Sequence, residues 1–158
     1  MVAHAAACLV GSQRYLLPLM RVIEIAPMLR FTPIPTLHAP IRGYIQFRGL
    51  PIAVVDLASC IGLEAPVSER LDDHLIIVVL SDRTIALRVD RVTELVEYEL
   101  APEPLEHSAG PLAGIAPGRG GCSVIVDLEA LLDLEQRQSL DQALAEITHS
   151  PQHHRTSA

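Results

Sequence analysis

The sequence has no tryptophan and no lysine, and aromatic residues make up only 3% of it. Proteins that track nucleic acid need clustered cations, and single-strand binders add aromatic stacking platforms. Here all twelve basic residues are arginines, they are scattered, and the net charge is −7. Nothing can neutralise a run of phosphates, so a nucleic-acid partner is not expected. Cysteine is scarce as well. Cys8, Cys60 and Cys122 are odd in number and far apart, which fits neither a disulfide framework nor a metal-ligand spacing. They read as small buried apolar residues in a reducing compartment. No apolar run approaches the ~20 residues of a membrane span; the longest, such as Leu75–Leu80, are strand-sized. The N-terminus lacks the basic start and long apolar core of a secretory signal, so a cytoplasmic protein without membrane insertion is expected. Gly-x-Ser-x-Gly, His-Glu-x-x-His and Cys–His signatures are missing, and no metal or cofactor is implied.

Hydrophobic residues, by contrast, are abundant: 49% of the chain, with a mean hydropathy of +0.31 at 20% charge. With so few aromatics to form a core, part of that Leu, Ile and Val surface is expected to stay exposed as a protein-binding patch. The strongest internal signal is a repeat. Arg21-Val22-Ile23-Glu24-Ile25 returns as Arg91-Val92-Thr93-Glu94-Leu95. Gly43, Arg48-Gly49 and Val55-Asp56-Leu57 return as Gly114, Arg119-Gly120 and Val126-Asp127-Leu128 with their spacing kept. Hydrophobic periodicity alone does not reproduce Gly, Arg and Asp in register, so the chain reads as two tandem copies of one small folding unit.

Alternation and β-branching dominate up to about residue 127. Ala6–Val10 and Tyr15–Leu19 flank a turn, as do 44–47 and 51–55 around Arg48-Gly49, and 75–80 and 84–89 around 81–83. The prolines between Pro27 and Pro40 exclude regular ladder or helix interior. Residues 64–73 are polar enough to join two lobes, with lobe 1 at about 12–70 and lobe 2 at about 71–134. Asp127 is expected to open a helix through Leu134. An amphipathic C-terminal helix follows at 137–149, with Ser139 as its N-cap and Leu140, Ala143, Leu144 and Ile147 on one face. Residues 150–158 read as a disordered tail. Short strands with tight turns, written twice, give an all-β fold of two small barrels.

Arg48 sits at a hairpin turn where Gly49 supplies a positive φ without a Cβ cost. Held there, its planar guanidinium suits a carboxylate, and Glu24 interrupts an otherwise apolar strand. A solvated turn arginine and a solvent-facing glutamate account for the same residues. Gly43, Gly49, Gly114 and Gly120 read as structural turns. Asp56 and Asp127 begin matching helical turns, so N-capping explains them better than a carboxylate-pair mechanism. The acidic series Glu94, Glu97, Glu99, Glu103 and Glu106 reads as a solvated face. His149, His153 and His154 make a poor metal site, and the glycine turn at 118–121 lacks the Lys-Ser/Thr of a phosphate loop.

In order along the chain, Tyr15–Ile25, Thr32–Pro35, Gly43–Gly49, Pro51–Leu57, Ile77–Leu80, Leu87–Val92, Gly114-Ile115 and Val124–Leu128 resemble the CheW-like family over about residues 6–134. The resemblance implies one domain at about 1–136, made of two tandem SH3-like five-stranded β-barrel lobes, in which strand 5–10 can be exchanged into lobe 2. It implies a non-enzymatic adaptor. Its partners would be the regulatory domain of a CheA-type histidine kinase and the cytoplasmic tip of methyl-accepting chemoreceptors, in arrays at the membrane. The family's functional arginine and acid fall on Arg48 and Glu24, with Val22, Ile25 and Phe47 beside them as partner-binding positions. The first strand, Ala5–Leu9, lacks the family's usual aromatic residue, and Phe47 replaces its usual Leu. These departures leave open service in a non-flagellar system for surface-contact or pilus signalling. A small-ligand sensor using the inter-lobe groove is the alternative from another functional class.

Overall fold

The structure is a computed structural model and describes residues 2–64, 72–99, 110–118 and 121–148. Along the chain, β1 (Val2–Val10) and β2 (Gln13–Pro18) form a hairpin, and a 3-10 turn (Leu19–Arg21) leads into β3 (Val22–Pro27). β4 (Thr32–Pro33), β5 (Ile41–Phe47), β6 (Leu50–Asp56) and the one-turn helix α1 (Leu57–Cys60) follow. Next come β7 (His74–Val79), β8 (Thr84–Val89), β9 (Arg91–Glu99), β10 (Leu112–Gly118) and β11 (Gly121–Val126). A 3-10 turn (Leu128–Ala130) and helix α2 (Leu134–Thr148) close the described chain. Among the described residues, no helix is long and apolar enough to cross a membrane.

The strands make two sheets, in the orders β10-β11-β2-β1-β9 and β3-β7-β8-β6-β5-β4. These are the cores of two SH3-like lobes, here called A and B respectively. The division expected near residue 70 is overturned. β2 belongs with β10 and β11, whereas β7 and β8 belong with β3, β5 and β6. The exchange expected for strand 5–10 alone involves both strands of a hairpin, and it runs in both directions. β6 pairs in parallel with β8 of the second copy, and β11 pairs in parallel with β2 of the first. β3 pairs with β7, as β9 pairs with β1. Each copy of the repeat therefore surrenders its first hairpin to the other lobe.

The exchange explains why these hairpins are apolar on successive residues. On β7, Leu75 and Ile77 face the interior of lobe B, while Ile76 and Val78 face a core shared with lobe A. On β2, Leu16 faces the interior of lobe A, and Tyr15 and Leu17 face the shared core. A strand buried on both faces reads as a continuous apolar run. The shared core also takes Val55, Leu57, Leu87 and Val126. It is sealed by Leu140 of α2, which is fully buried.

The C-terminal helix starts earlier than expected. Asp133 Oδ1 accepts from Gln136 N at 2.7 Å, and Gln136 Oε1 accepts from Asp133 N at 2.9 Å. This reciprocal capping box fixes the start at Leu134 and leaves Ser139 inside the helix. The turn after Asp127 is a three-residue 3-10 segment, Leu128–Ala130, and not the helix through Leu134 that was expected. Two of the cysteines also depart from expectation: Cys8 is buried, but Cys60 is half-buried and Cys122 is exposed. The expected tail, Gly120, Arg119, Glu103, Glu106 and the three C-terminal histidines lie outside the described residues.

Candidate protein-binding site

Among the described residues, β3 is an edge strand of lobe B, paired with β7 alone. Its inner residue Val22 packs against the shared core. Ile23 and Ile25 keep 39% of their surface exposed, and Glu24 between them is exposed too. An edge strand that shows branched apolar side chains to solvent is a surface awaiting cover. Met20, in the turn that leads into it, is 87% exposed.

The tip of the β5–β6 hairpin is the second feature. Phe47 pairs with Leu50, leaving Arg48 and Gly49 as a two-residue turn. Their φ angles are 52° and 83°. Two-residue hairpins favour positive φ at both positions, because that twist matches the flanking strands. Glycine takes it freely, but an arginine there carries backbone strain. The Arg48 guanidinium lies 4.8 Å from the centre of the Phe47 ring. Phe47 in turn packs on the interior of lobe B, and Leu50 beside the turn is 65% exposed. A strained, ring-backed cation is thus displayed next to an apolar residue at a rigid tip.

The structure does not bring Glu24 and Arg48 together as a pair. Register sets Glu24 in the row of Ile77, Ala86, Val54 and Gly43, in the body of the sheet. Arg48 lies beyond the end of its ladder, at the tip. The matching acid in lobe A, Glu94, accepts from Arg14 at 2.8 Å. Gly43 has a steric reason: a Cβ there would sit 2.2 Å from the Thr32 carbonyl oxygen of the β4 backbone. Gly43 and Gly114 both mark register shifts, where β5 and β10 bulge against their partners.

Asp56 and Asp127 accept from backbone N–H groups of Ala58 and Glu129, so both cap their helical turns. Their surroundings differ. Asp127 is exposed. Asp56 is fully buried and takes Arg88 at 3.3 Å and Arg42 at 3.1 Å. Arg88 also reaches Asp73 at 2.9 Å and Asp90 at 3.0 Å. Burial alone would lower the Arg88 pKa; the surrounding carboxylates of Asp56, Asp73 and Asp90 outweigh it and raise it above its usual value. Asp90 also accepts from Gly11 N at 2.8 Å, which ties this cluster to the β1–β2 turn of lobe A. The arginine was visible in the sequence as a charge inside Leu87-Arg88-Val89, the same kind of interruption that singles out Glu24.

This architecture has known relatives. A family model described as the CheW-like domain matches residues 5–136. The chain belongs to the CheW-like family. Among its relatives are the chemotaxis proteins CheW of Rhizobium meliloti (strain 1021) and of Helicobacter pylori (strain ATCC 700392 / 26695). The first is 27% identical over 82% of this chain and 87% of the relative. The second is 22% identical over 78% of each. The crystal structure of the scaffolding protein TtCheW from Thermoanaerobacter tengcongensis superposes with a TM-score of 0.76 at 25% identity, covering 86% of this chain and 96% of that one. This CheW-like chain is accordingly a non-enzymatic scaffold of chemotaxis signalling.

Proposed function

We propose that the chain joins the regulatory domain of a CheA-type histidine kinase to the cytoplasmic tip of methyl-accepting chemoreceptors. The observation that carries this reading is Arg48, held at positive φ, stacked on Phe47 and flanked by exposed Leu50. A strained residue persists where its surroundings hold it in place, and such positions cluster at binding sites. Glu24 with Ile23 and Ile25 adds a second surface on β3. Together they fit contacts made of apolar area with a few charged anchors.

Two clefts flank the crossings between the lobes, and their chemistry differs. One is lined by Leu9, Gly11, Asp72, Asp73, Asp90 and Arg91. The other, of about 390 Å³, is lined by Ala3, His4, Pro18, Leu19, Met20 and Tyr98. An amphipathic receptor helix laying down an apolar face fits the second and not the acidic first. The protein would then sit at membrane receptor arrays through its partners.

The test uses Arg48→Gly, which relaxes the backbone while deleting the guanidinium. Pull-down and calorimetry of the kinase domain and a receptor-tip fragment should show the wild type binding both. The variant should melt no lower, yet lose roughly tenfold affinity for at least one partner. A folded wild type that binds neither partner sinks the reading.

A further inference from the structure

We propose that α2 acts as a clamp on the partner-facing strand β3, transmitted through Glu129 and Arg21. The inference rests on the binding role of β3 argued above. Most of α2 lies beyond the family-matched residues 5–136, so it is an addition to the common domain. Its buried Leu140 seats it on the shared core. Among the described residues, its ion pairs and its arginine hydrogen bonds converge on the β7–β8 turn and the segment before the helix.

Arg83 of that turn, with its side chain only 11% exposed, grips both carboxylate oxygens of Asp141, at 2.9 and 3.2 Å. Arg137 reaches Asp82 at 3.5 Å and donates to the carbonyl oxygens of Leu132 and Glu129. Glu129 then holds the same turn from the other side. It accepts from Ser81 N at 2.7 Å and from Ser81 Oγ at 2.8 Å. Its Oε1 also lies 3.3 Å from Arg21 Nη1. Arg21 ends the 3-10 turn, and the next residue is Val22 of β3. A continuous polar path therefore runs from the C-terminal helix to the first residue of the binding edge.

An isolated exposed ion pair contributes little. The repeat supplies an independent reason to read this one as functional. Arg21 recurs as Arg91, and Asp127-Leu128 recurs as Asp56-Leu57, yet the residue matching Glu129 is Ala58. The fold itself does not require the contact, since the other copy does without it. The acid is present in the copy of this position that serves β3, and absent from the copy that would serve β9.

The experiment compares wild type, Glu129→Gln, Arg21→Gln and the double variant, all full-length. Glu129→Gln keeps an acceptor for Ser81 but loses the charge facing Arg21; Arg21→Gln leaves Ser81 and α2 untouched. Each single variant should weaken binding of the β3-contacting partner by roughly two- to thirtyfold. Each should also speed amide exchange at residues 22–25 while the melting temperature and exchange of β7 and β8 stay as in wild type. The double variant should be no worse than either single one. Wild-type binding and wild-type exchange at 22–25 in both single variants would overturn the clamp. Uniformly faster exchange across both lobes would overturn it too, since it would mean a general loss of stability. If the wild type binds neither partner, the functional reading fails instead, and the exchange comparison still decides the clamp.

Discussion

Lobes A and B share a topology but not an interior. Lobe B is filled by Ile45, Ile52, Val54, Leu75 and Ile77, with Met28, Phe31 and Phe47 closing it. At matching depth, lobe A has Ala5, Ala7, Leu16, Ala116 and Ile125, with Val96 and Tyr98. Methyl groups do not fill the space that isoleucine and phenylalanine fill, and an open cavity of about 280 Å³ remains, lined by Arg14, Leu16, Val96, Tyr98, Ala116 and Ser123 among others. Lobe B also owns the buried Arg88 cluster, at a position whose counterpart by register is Pro18. The lesson is a division of labour. The lobe that displays Arg48 and β3 is well packed and internally braced. The other is braced mainly through the core the two lobes share.

The equivalent aspartates offer the sharpest way to break this comparison. Asp56→Ala removes a cap and leaves Arg88 short of a buried carboxylate, which should cost about 3–5 kcal/mol. Asp127→Ala should cost only about 1 kcal/mol, the loss of an exposed cap. Chemical denaturation of both variants measures the difference, and equal losses would mean that the lobes are not unequally braced.

Glycines give the next largest contrast. Gly43→Ala drives a methyl into the Thr32 backbone and should cost about 1–3 kcal/mol. Gly118→Ala in lobe A should stay within about 0.5 kcal/mol, because the nearest atom to the new Cβ is 3.9 Å away. A thermal-melt series on the two variants checks this.

The smallest effect concerns the thiols. Burial first, and then the nearby charge of Asp90 or Asp56, pushes Cys8 and Cys60 each up to about 12 from 9.0. A folded-state pKa raised in this way adds stability that is whole below pH 9 and drains away as pH climbs from there towards 12. Denaturation midpoints should therefore hold below pH 9 and fall above it. At pH 8 a thiol reagent should label exposed Cys122 quickly, half-buried Cys60 more slowly, and buried Cys8 only as fast as the chain opens.

Much of the fold was legible because its signals are local. The recurrence of Gly, Arg and Asp revealed two copies, and turn residues placed the hairpins. The hairpin exchange was not local: whether β6 meets β8 or a strand of its own copy depends on packing across the whole chain. The run Leu75–Leu80 carried the hint, since a strand in a small two-faced lobe alternates and this one does not. Of the site, Arg48-Gly49 was readable as a turn, whereas the positive φ at Arg48 follows only once Phe47 and Leu50 are known to pair. The expected Glu24–Arg48 pair failed because a shared lobe does not imply a shared ladder row. Ser139 misled because Asp133 and Gln136 form a stronger start signal a turn and a half upstream.

The reciprocal hairpin exchange has a consequence for symmetry. One copy of the repeat, expressed alone, would have an incomplete sheet and could complete it only against a second copy, as a domain-swapped homodimer. Such a dimer would show every surface twice and would dissolve on dilution. Written as one polypeptide, the swap is intramolecular, with a high effective concentration that dilution leaves unchanged. The two halves are also free to diverge residue by residue. That freedom lets Asp56 become a buried anchor while Asp127 stays a plain cap, and it would let one face of a twofold object serve a partner that its twin does not.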